Sequence, residues 1–198
     1  MNKGVRIVKK ACLLIIDVQK GFDDSDFWGE RNNPDAEDNM LVLLDAFRKA
    51  RLPVFHVQHQ SENEMSPLHP TKLGYQLKTG FEPKENEPLF IKSVNSAFIG
   101  TDLKEELEKQ EIAQIIIVGL TTNHCVSTTA RMAANYGFGV SFIHDATAAF
   151  TTVSYDGRKF TAQEVHESAL SHLHNEFAEI LSTGDVLAKW VTTSQYMQ

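Results

Sequence analysis

A cysteine stands where an apolar run gives way to a helix-forming segment. The run Ile115–Val118 leads through Gly119 and a polar turn to Cys125, and small residues typical of a helix follow. The start of a helix carries unpaired N–H groups and a partial positive charge, which lower a thiol pKa and stabilise a developing oxyanion. Cys125 is therefore a candidate nucleophile, although free cysteines are also common as inert core residues. We expect Cys12, inside the apolar run Ala11–Ile16, to be such a core residue.

Two more ionisable residues end apolar runs in the same way. Asp17 follows Leu13–Ile16, and Lys92 follows Leu89–Ile91. Taken alone, the aspartate suits a turn or helix cap and the lysine a solvated strand end. Ligands of open α/β sheets bind outside the carboxyl ends of the strands. The sequence therefore predicts a carboxylate, an ammonium and a thiol at one edge of a parallel sheet.

The pattern of elements supports such a sheet. Short apolar runs alternate with helix-like segments, which indicates βαβ units. We predict helices beginning near Pro34 with Asn33 as cap, after Thr101, and at the capping box Thr161–Glu164. A further helix is expected over Asn123–Tyr136. The predicted strands are Ala11–Ile16, Pro53–Val57, Leu89–Ile91, Ile115–Val118 and Val140–Ile143, and Phe177–Leu181 is ambiguous by periodicity.

Two long segments interrupt this alternation. Gly21–Asn33 is polar with three aromatic residues, and Ser61–Pro88 is rich in proline. Long irregular loops in compact α/β domains often cover or line a site, although they can equally be surface excursions.

Composition limits the class of protein. The chain has 198 residues, 42% of them hydrophobic, and a formal net charge of −7. These values predict one globular domain over residues 1–198, and the acidic charge argues against nucleic acid or an anionic membrane as partner. Two cysteines in dissimilar settings do not indicate a disulfide framework, and no signal peptide or membrane helix is evident. We expect a cytoplasmic protein.

Three motifs together resemble the isochorismatase-like cysteine hydrolases. They are Leu-Ile-Ile-Asp-Val-Gln at 14–19, Lys-Ser-Val-Asn-Ser-Ala-Phe at 92–98, and Gly-Leu-Thr-Thr-Asn-His-Cys-Val at 119–126. That superfamily includes nicotinamidases, N-carbamoylsarcosine amidases and isochorismatases. The resemblance covers nearly the whole chain and implies a three-layer αβα, Rossmann-like fold. A six-stranded, mainly parallel sheet would carry helices on both faces, with Phe177–Leu181 as a strand. It also implies a homodimer or homotetramer.

The resemblance further implies a mechanism. Asp17 would be the general base, Lys92 would favour the thiolate, and Cys125 would attack an amide-type carbonyl to form a thioester. Backbone groups of Leu120, Thr121 and Cys125 would stabilise the oxyanion, with a cis bond between Leu120 and Thr121. Because of Lys92, we expect iodoacetamide to label the thiol well below a pH of ~8.5.

The substrate is expected to be a small molecule held by residues around these three. A partly aromatic pocket is suggested by five residues, each of which could equally belong to the core: Phe22, Trp28, Phe98, Phe150 and Tyr155. The candidate binding residues are Phe22, Trp28, His59, Asn95, Phe98, His124 and Tyr155.

No metal or other cofactor is expected. Nicotinamidases hold a metal through an Asp-x-His pair after their second strand, but the corresponding Phe-His-Val-Gln-His-Gln segment at 55–60 lacks an aspartate. His56 and His59 lie three apart on an extended segment and so point to opposite faces. We expect His56 to be a core or subunit-contact residue.

Other arrangements and functions remain open at this point. A Cys125–His144–Asp145 triad is less favoured, because we expect Asp145 to anchor the loop that follows. A dyad of Cys125 with the adjacent His124 is also less favoured, since adjacent side chains at a helix start diverge by ~100°. Vinyl ether hydrolysis would need an acid rather than a thiol, and a non-catalytic binding protein would not need the complete triad. A redox role lacks a nearby resolving cysteine.

Overall fold

Six parallel strands form the centre of the molecule, whose residues 10–191 are described by a computed structural model. Their order is β3-β2-β1-β4-β5-β8, and every neighbouring pair is parallel, which confirms the predicted six-stranded sheet. A separate antiparallel hairpin is formed by β6 and β7. The strands are β1 Ala11–Ile16, β2 Val54–His59, β3 Leu89–Lys92, β4 Gln114–Leu120, β5 Gly139–Ala148, β6 Thr152–Val153, β7 Lys159–Phe160 and β8 Glu179–Leu181.

Helices cover both faces of the sheet. They are α1 Ser25–Trp28, α2 Ala36–Lys49, α3 Leu103–Lys109, α4 Ser127–Asn135, α5 Ala162–Leu173 and α6 Thr183–Val186, with π-helical turns at Thr122–Val126 and Leu187–Val191. None of the helices within residues 10–191 is both long enough and apolar enough to cross a membrane.

The continuous apolar runs of the central strands reflect burial on both sides. Every residue of β1 and β4 is buried, as expected for parallel strands sandwiched between helices. Alternate residues of β1 enter different cores. Leu13 and Ile15 share one core with α2 residues such as Phe47, whereas Leu14 shares the other with α3 residues such as Leu107. The three-layer αβα prediction is confirmed.

The predicted start of α2 is wrong by a few residues. The helix begins at Ala36, and Asn33 does not cap it. Asn33 instead adopts a left-handed φ of 43° and donates its side-chain amide to the carbonyls of His144 and Thr147. Its hydrogen-bonding groups are thus used to join the loop to β5, a long-range contact that a local capping pattern does not reveal.

The other helix start predicted from a capping motif is confirmed. Thr161 accepts a hydrogen bond from the Glu164 backbone, and the Glu164 carboxylate accepts one from the Thr161 backbone. The helix predicted over Asn123–Tyr136 differs, because its first turn is the π-helical turn Thr122–Val126. Cys125 therefore lies in that turn, immediately before α4.

Candidate active site

The carboxyl ends of three strands bring the three predicted ionisable residues together. Asp17 follows β1, Lys92 is the last residue of β3, and Cys125 lies in the turn after β4. Both β2 and β4 pair with β1, and β3 pairs with β2. Their carboxyl ends consequently form one edge of the sheet, which is where the three side chains meet.

The Lys92 ammonium lies between the carboxylate and the thiol. Lys92 Nζ donates to Asp17 Oδ2 at 2.6 Å and to Cys125 Sγ at 3.3 Å. The side chains of Asp17 and Lys92 are completely buried, and Cys125 is 8% exposed. The second carboxylate oxygen, Asp17 Oδ1, is buried and accepts no hydrogen bond of standard length and angle from the described residues. The Cys125 thiol nevertheless lies close enough to the carboxylate to interact with it. Asp17 Oδ1 is therefore available as a proton acceptor.

Close contact between the ends of β1 and β4 depends on a glycine. Gly119 has a φ of 129°, and a Cβ atom there would lie 2.0 Å from the carbonyl oxygen of Ile16. No side chain fits that space, so glycine allows the residue before Asp17 to contact the strand that leads to Cys125. Asp17 itself has a φ of 55°, a conformation that aspartate tolerates better than most residues.

The turn between β4 and Cys125 has the expected backbone and a buried support. The Leu120–Thr121 peptide bond is cis, as the resemblance implies. Thr122 Oγ1 lies 2.9 Å from His166 Nδ1, and the His166 ring also hydrogen-bonds to the backbone of His144. Burial lowers the pKa of His166 to about 4, so this support is uncharged at neutral pH. The sequence gives no local signal for it, because the residues of the pair are 44 positions apart.

Two of the predicted binding residues reach the charged cluster. His59 Nδ1 lies 3.2 Å from Lys92 Nζ, and Asn95 Oδ1 lies 3.8 Å from Cys125 Sγ. Gln19 was not among the predicted site residues, but its side chain holds the backbone of His59 through two hydrogen bonds of 2.9 Å. The proximity of Gln19 to Asp17 in the first motif was its only signal.

A cavity of about 230 Å³ adjoins the turn that carries Cys125. Thr121 and His124 of the turn form part of its wall, and Trp28 and Phe150 supply an aromatic side. His124 Nδ1 lies 3.3 Å from Thr121 Oγ1, and burial lowers its pKa, so the ring is neutral. The lining side chains therefore carry no charge at neutral pH; they are Phe27, Trp28, Thr121, Asn123, His124, Phe150, Thr151 and Thr152.

Three of the predicted aromatic binding residues do not line this cavity. Phe22 is buried behind it, where its ring lies 4.9 Å from that of Trp28. Phe98 is a core residue whose ring packs against Tyr136. Tyr155 is fully exposed beyond β6, so it forms no pocket wall with the other residues of the 10–191 range. Apolar character alone did not distinguish cavity walls from core or surface positions.

Burial opposes the expected ionisation of the Cys125 thiol. Burial raises the pKa of Cys125 above its ordinary value, and the Asp17 charge adds to that effect more than Lys92 offsets it. Burial likewise raises the pKa of Asp17, although Lys92 opposes the change. These directions run against the expected, readily labelled thiolate and favour a neutral thiol at Cys125.

The same cluster does not fit a metal ion. Ligand atoms of Asp17, His59 and Cys125 lie within 4.8 Å of one another. The Lys92 ammonium, however, contacts all three side chains and so occupies the position of a bound cation. His56 points elsewhere, since its Nε2 lies 3.0 Å from a carboxylate oxygen of Glu87. His56 is buried, which agrees with the first of its two predicted roles, a core residue rather than a subunit contact.

Comparisons with known proteins agree with the predicted family and fold. The model of the isochorismatase domain matches residues 11–185. The chain is 43% identical to the isochorismatase family protein YrdC of Bacillus subtilis, over 93% of this chain and 98% of that protein. It is 32% identical to nicotinamidase 3 of Arabidopsis thaliana, over 87% and 85% of the two chains.

A solved structure shows the same fold. It is an isochorismatase-family protein from Chromobacterium violaceum, which superposes with a TM-score of 0.87 at 36% identity and covers 95% of this chain and 97% of that one. The sequence similarity extends over nearly the full length of both proteins, and the predicted family is confirmed. The chain belongs to the isochorismatase family of hydrolases.

Proposed function

We propose that this hydrolase cleaves an amide-type C–N bond of a small neutral molecule through a thioester on Cys125. The observation that supports the proposal best is the buried contact of Lys92 with both Asp17 and Cys125, at 2.6 and 3.3 Å. A carboxylate, an ammonium and a thiol in contact supply a base, a stabilising charge and a nucleophile. We assign these roles to Asp17, Lys92 and Cys125.

The first half of the reaction begins with proton transfer. The thiol proton passes to Asp17, whose raised pKa makes it a stronger base than an exposed carboxylate. The sulfur attacks the carbonyl carbon, while Lys92 and backbone N–H groups of Thr121 and Cys125 stabilise the negative charge. Asp17 then protonates the leaving nitrogen. The C–N bond breaks, the amine or ammonia departs, and the acyl group stays on sulfur.

The second half releases the acid. A water molecule attacks the thioester carbon and gives a proton to Asp17. The C–S bond breaks, the carboxylic acid is released, and the sulfur recovers its proton from Asp17. Carboxylate and ammonium thus return to their starting forms, and one water is consumed for each amide cleaved.

The cavity beside the turn favours a flat, uncharged substrate. Trp28 and Phe150 offer aromatic surfaces, while Thr121, Asn123 and His124 offer polar groups. A charged substrate would lose hydration there without meeting an opposite charge. The similar nicotinamidase from Arabidopsis is by its name an amidase, which supports amide rather than ether chemistry.

The test is ammonia release from neutral primary amides, aromatic and aliphatic, compared with charged analogues. We expect aromatic neutral amides to be the better substrates and Cys125→Ala to lower kcat by roughly 10⁴-fold or more, as expected for loss of a nucleophile. Cys12→Ala is the matched control, since that thiol is buried in β1 away from the cluster. Acid-quenched enzyme should carry an acyl adduct on Cys125.

Turnover that persists in the Cys125→Ala variant, with no acyl adduct in the wild type, would exclude the thioester route. Vinyl ether hydrolysis by acid catalysis would then become the better explanation.

A further inference from the structure

The Lys92 ammonium has three hydrogens, and three side chains surround it. Its nitrogen lies 2.6 Å from Asp17 Oδ2, 3.3 Å from Cys125 Sγ and 3.2 Å from His59 Nδ1. An ammonium group only donates hydrogen bonds, so the facing nitrogen of His59 must be an acceptor. In the neutral ring, the proton therefore lies on Nε2.

The surroundings hold His59 in this orientation. Strand pairing places His59 directly beside Lys92, and the Gln19 side chain both donates to the carbonyl of His59 and accepts from its N–H. The ring also hydrogen-bonds to the backbone of Val94. Burial and the nearby Lys92 charge lower the pKa of His59 to about 4, which keeps the ring neutral at physiological pH.

We infer that His59 is a positioning residue, whose neutral ring fixes the Lys92 ammonium between the carboxylate and the thiol. The inference rests on the proposed function, in which Lys92 acts only if it is charged and in contact with both partners. Without the third acceptor, one N–H of a fully buried ammonium would have no partner, which disfavours the charged form. The nitrogen of His59 that faces the site is already engaged, so it is not available for substrate.

Two substitutions at position 59 separate this role from a merely structural one. His59→Leu removes the acceptor at similar volume, whereas His59→Asn places its amide oxygen close to the position of Nδ1. His172 is exposed on α5 and provides the control substitution His172→Leu. We expect His59→Leu to lower kcat about tenfold to hundredfold with little change in KM. His59→Asn should recover most of that loss, and His172→Leu should behave as the wild type.

Two readouts do not need a substrate. The pH midpoint for alkylation of Cys125 should rise by about one unit in His59→Leu, because a displaced or neutral Lys92 no longer favours the thiolate, and return in His59→Asn. Nitrogen-15 NMR of the wild type should show His59 protonated on Nε2 and not on Nδ1 near neutral pH.

Several results would overturn the inference. An Nδ1-protonated ring would do so, as would an Asn variant as impaired as the Leu variant in both kcat and alkylation. A change confined to KM would make His59 a substrate contact instead. If no amide is turned over by the wild type, the proposed function fails, while the NMR and alkylation results still decide the role of His59.

Discussion

At the scale of single residues, the ionisation of Cys125 depends on competing neighbours. Burial and the Asp17 charge raise its pKa, whereas Lys92 lowers it. We predict that iodoacetamide labels Cys125 with a pH midpoint above the ~8.5 of a free thiol. Asp17→Asn should lower the midpoint and Lys92→Gln should raise it, because they remove charges of opposite sign. Peptide mass spectrometry distinguishes this thiol from Cys12, and equal midpoints in the two variants would contradict the prediction.

The residues that perform the proposed chemistry were easier to predict than their ionisation. Asp17, Lys92 and Cys125 each end an apolar run, and the carboxyl ends of parallel strands meet at one edge whatever the details of packing. Burial in the folded state is not visible in such a pattern, so the sequence suggested a thiolate where the structure supports a thiol. The contacts of Gln19 and His166 were not predicted, since each joins residues distant in sequence.

At the scale of elements, the contact between β1 and β4 sets the distance between base and nucleophile. A Cβ at Gly119 would lie 2.0 Å from the Ile16 carbonyl, and its φ of 129° suits only glycine well. We predict that Gly119→Ala pushes the strand ends apart, lowers stability by about 2–4 kcal/mol and lowers kcat about a hundredfold or more. Thermal unfolding and amide turnover measure the two effects.

Gly137 offers the matched control for this substitution. It also has a positive φ, 89°, but apart from its chain neighbours no atom of the described part of the chain lies within 4 Å of the position a Cβ would take. Gly137→Ala should therefore cost only about 1 kcal/mol of backbone strain and leave kcat unchanged. Equal effects of the two substitutions would show that backbone conformation, rather than the contact of β1 with β4, determines the result.

Secondary structure was predictable where a local rule decides it. The capping box at Thr161 and the apolar runs located that helix and five strands of the sheet. They did not predict the extension of β5 to Ala148 or the hairpin of β6 and β7. The start of α2 was not predicted correctly, because the Asn33 side chain binds carbonyls of β5 instead of capping. Local propensity thus fails at the points where a long-range hydrogen bond competes with it.

At the scale of the whole molecule, the two long loops, Gly21–Asn33 and Ser61–Pro88, pack against each other. A Cβ at Gly74 would lie 2.7 Å from the Cα of Gly21, so the loops meet backbone to backbone. Lys78 binds both Asp23 and Glu37, which joins the second loop to the first and to α2. Sequence alone left open whether these segments cover a site or extend over the surface, since their mutual contact has no local pattern. Assembly into a homodimer or homotetramer stays a prediction.

The stability of the molecule in acid should depend on Glu37, whose carboxylate accepts hydrogen bonds from Arg31 of the first loop and Lys78 of the second. Burial alone would raise the pKa of Glu37, but hydrogen bonds from Arg31 and Lys78 outweigh it and lower the pKa to about 2. A carboxylate with a lowered pKa stabilises the fold fully above its unfolded value of ~4.3 and loses that contribution as pH falls toward 2. We predict that the melting temperature drops across this window. Glu37→Gln should lower the free energy of unfolding by roughly 1–3 kcal/mol at neutral pH and make the melting temperature less dependent on pH.

Asp45→Asn is the control, because Asp45 lies on the same helix but in an exposed pair with Lys49. It should lower the free energy of unfolding by less than about 0.5 kcal/mol and leave the acid profile unchanged. If calorimetry from pH 7 to pH 2 gives the two variants the same profile, Glu37 does not hold the loops together.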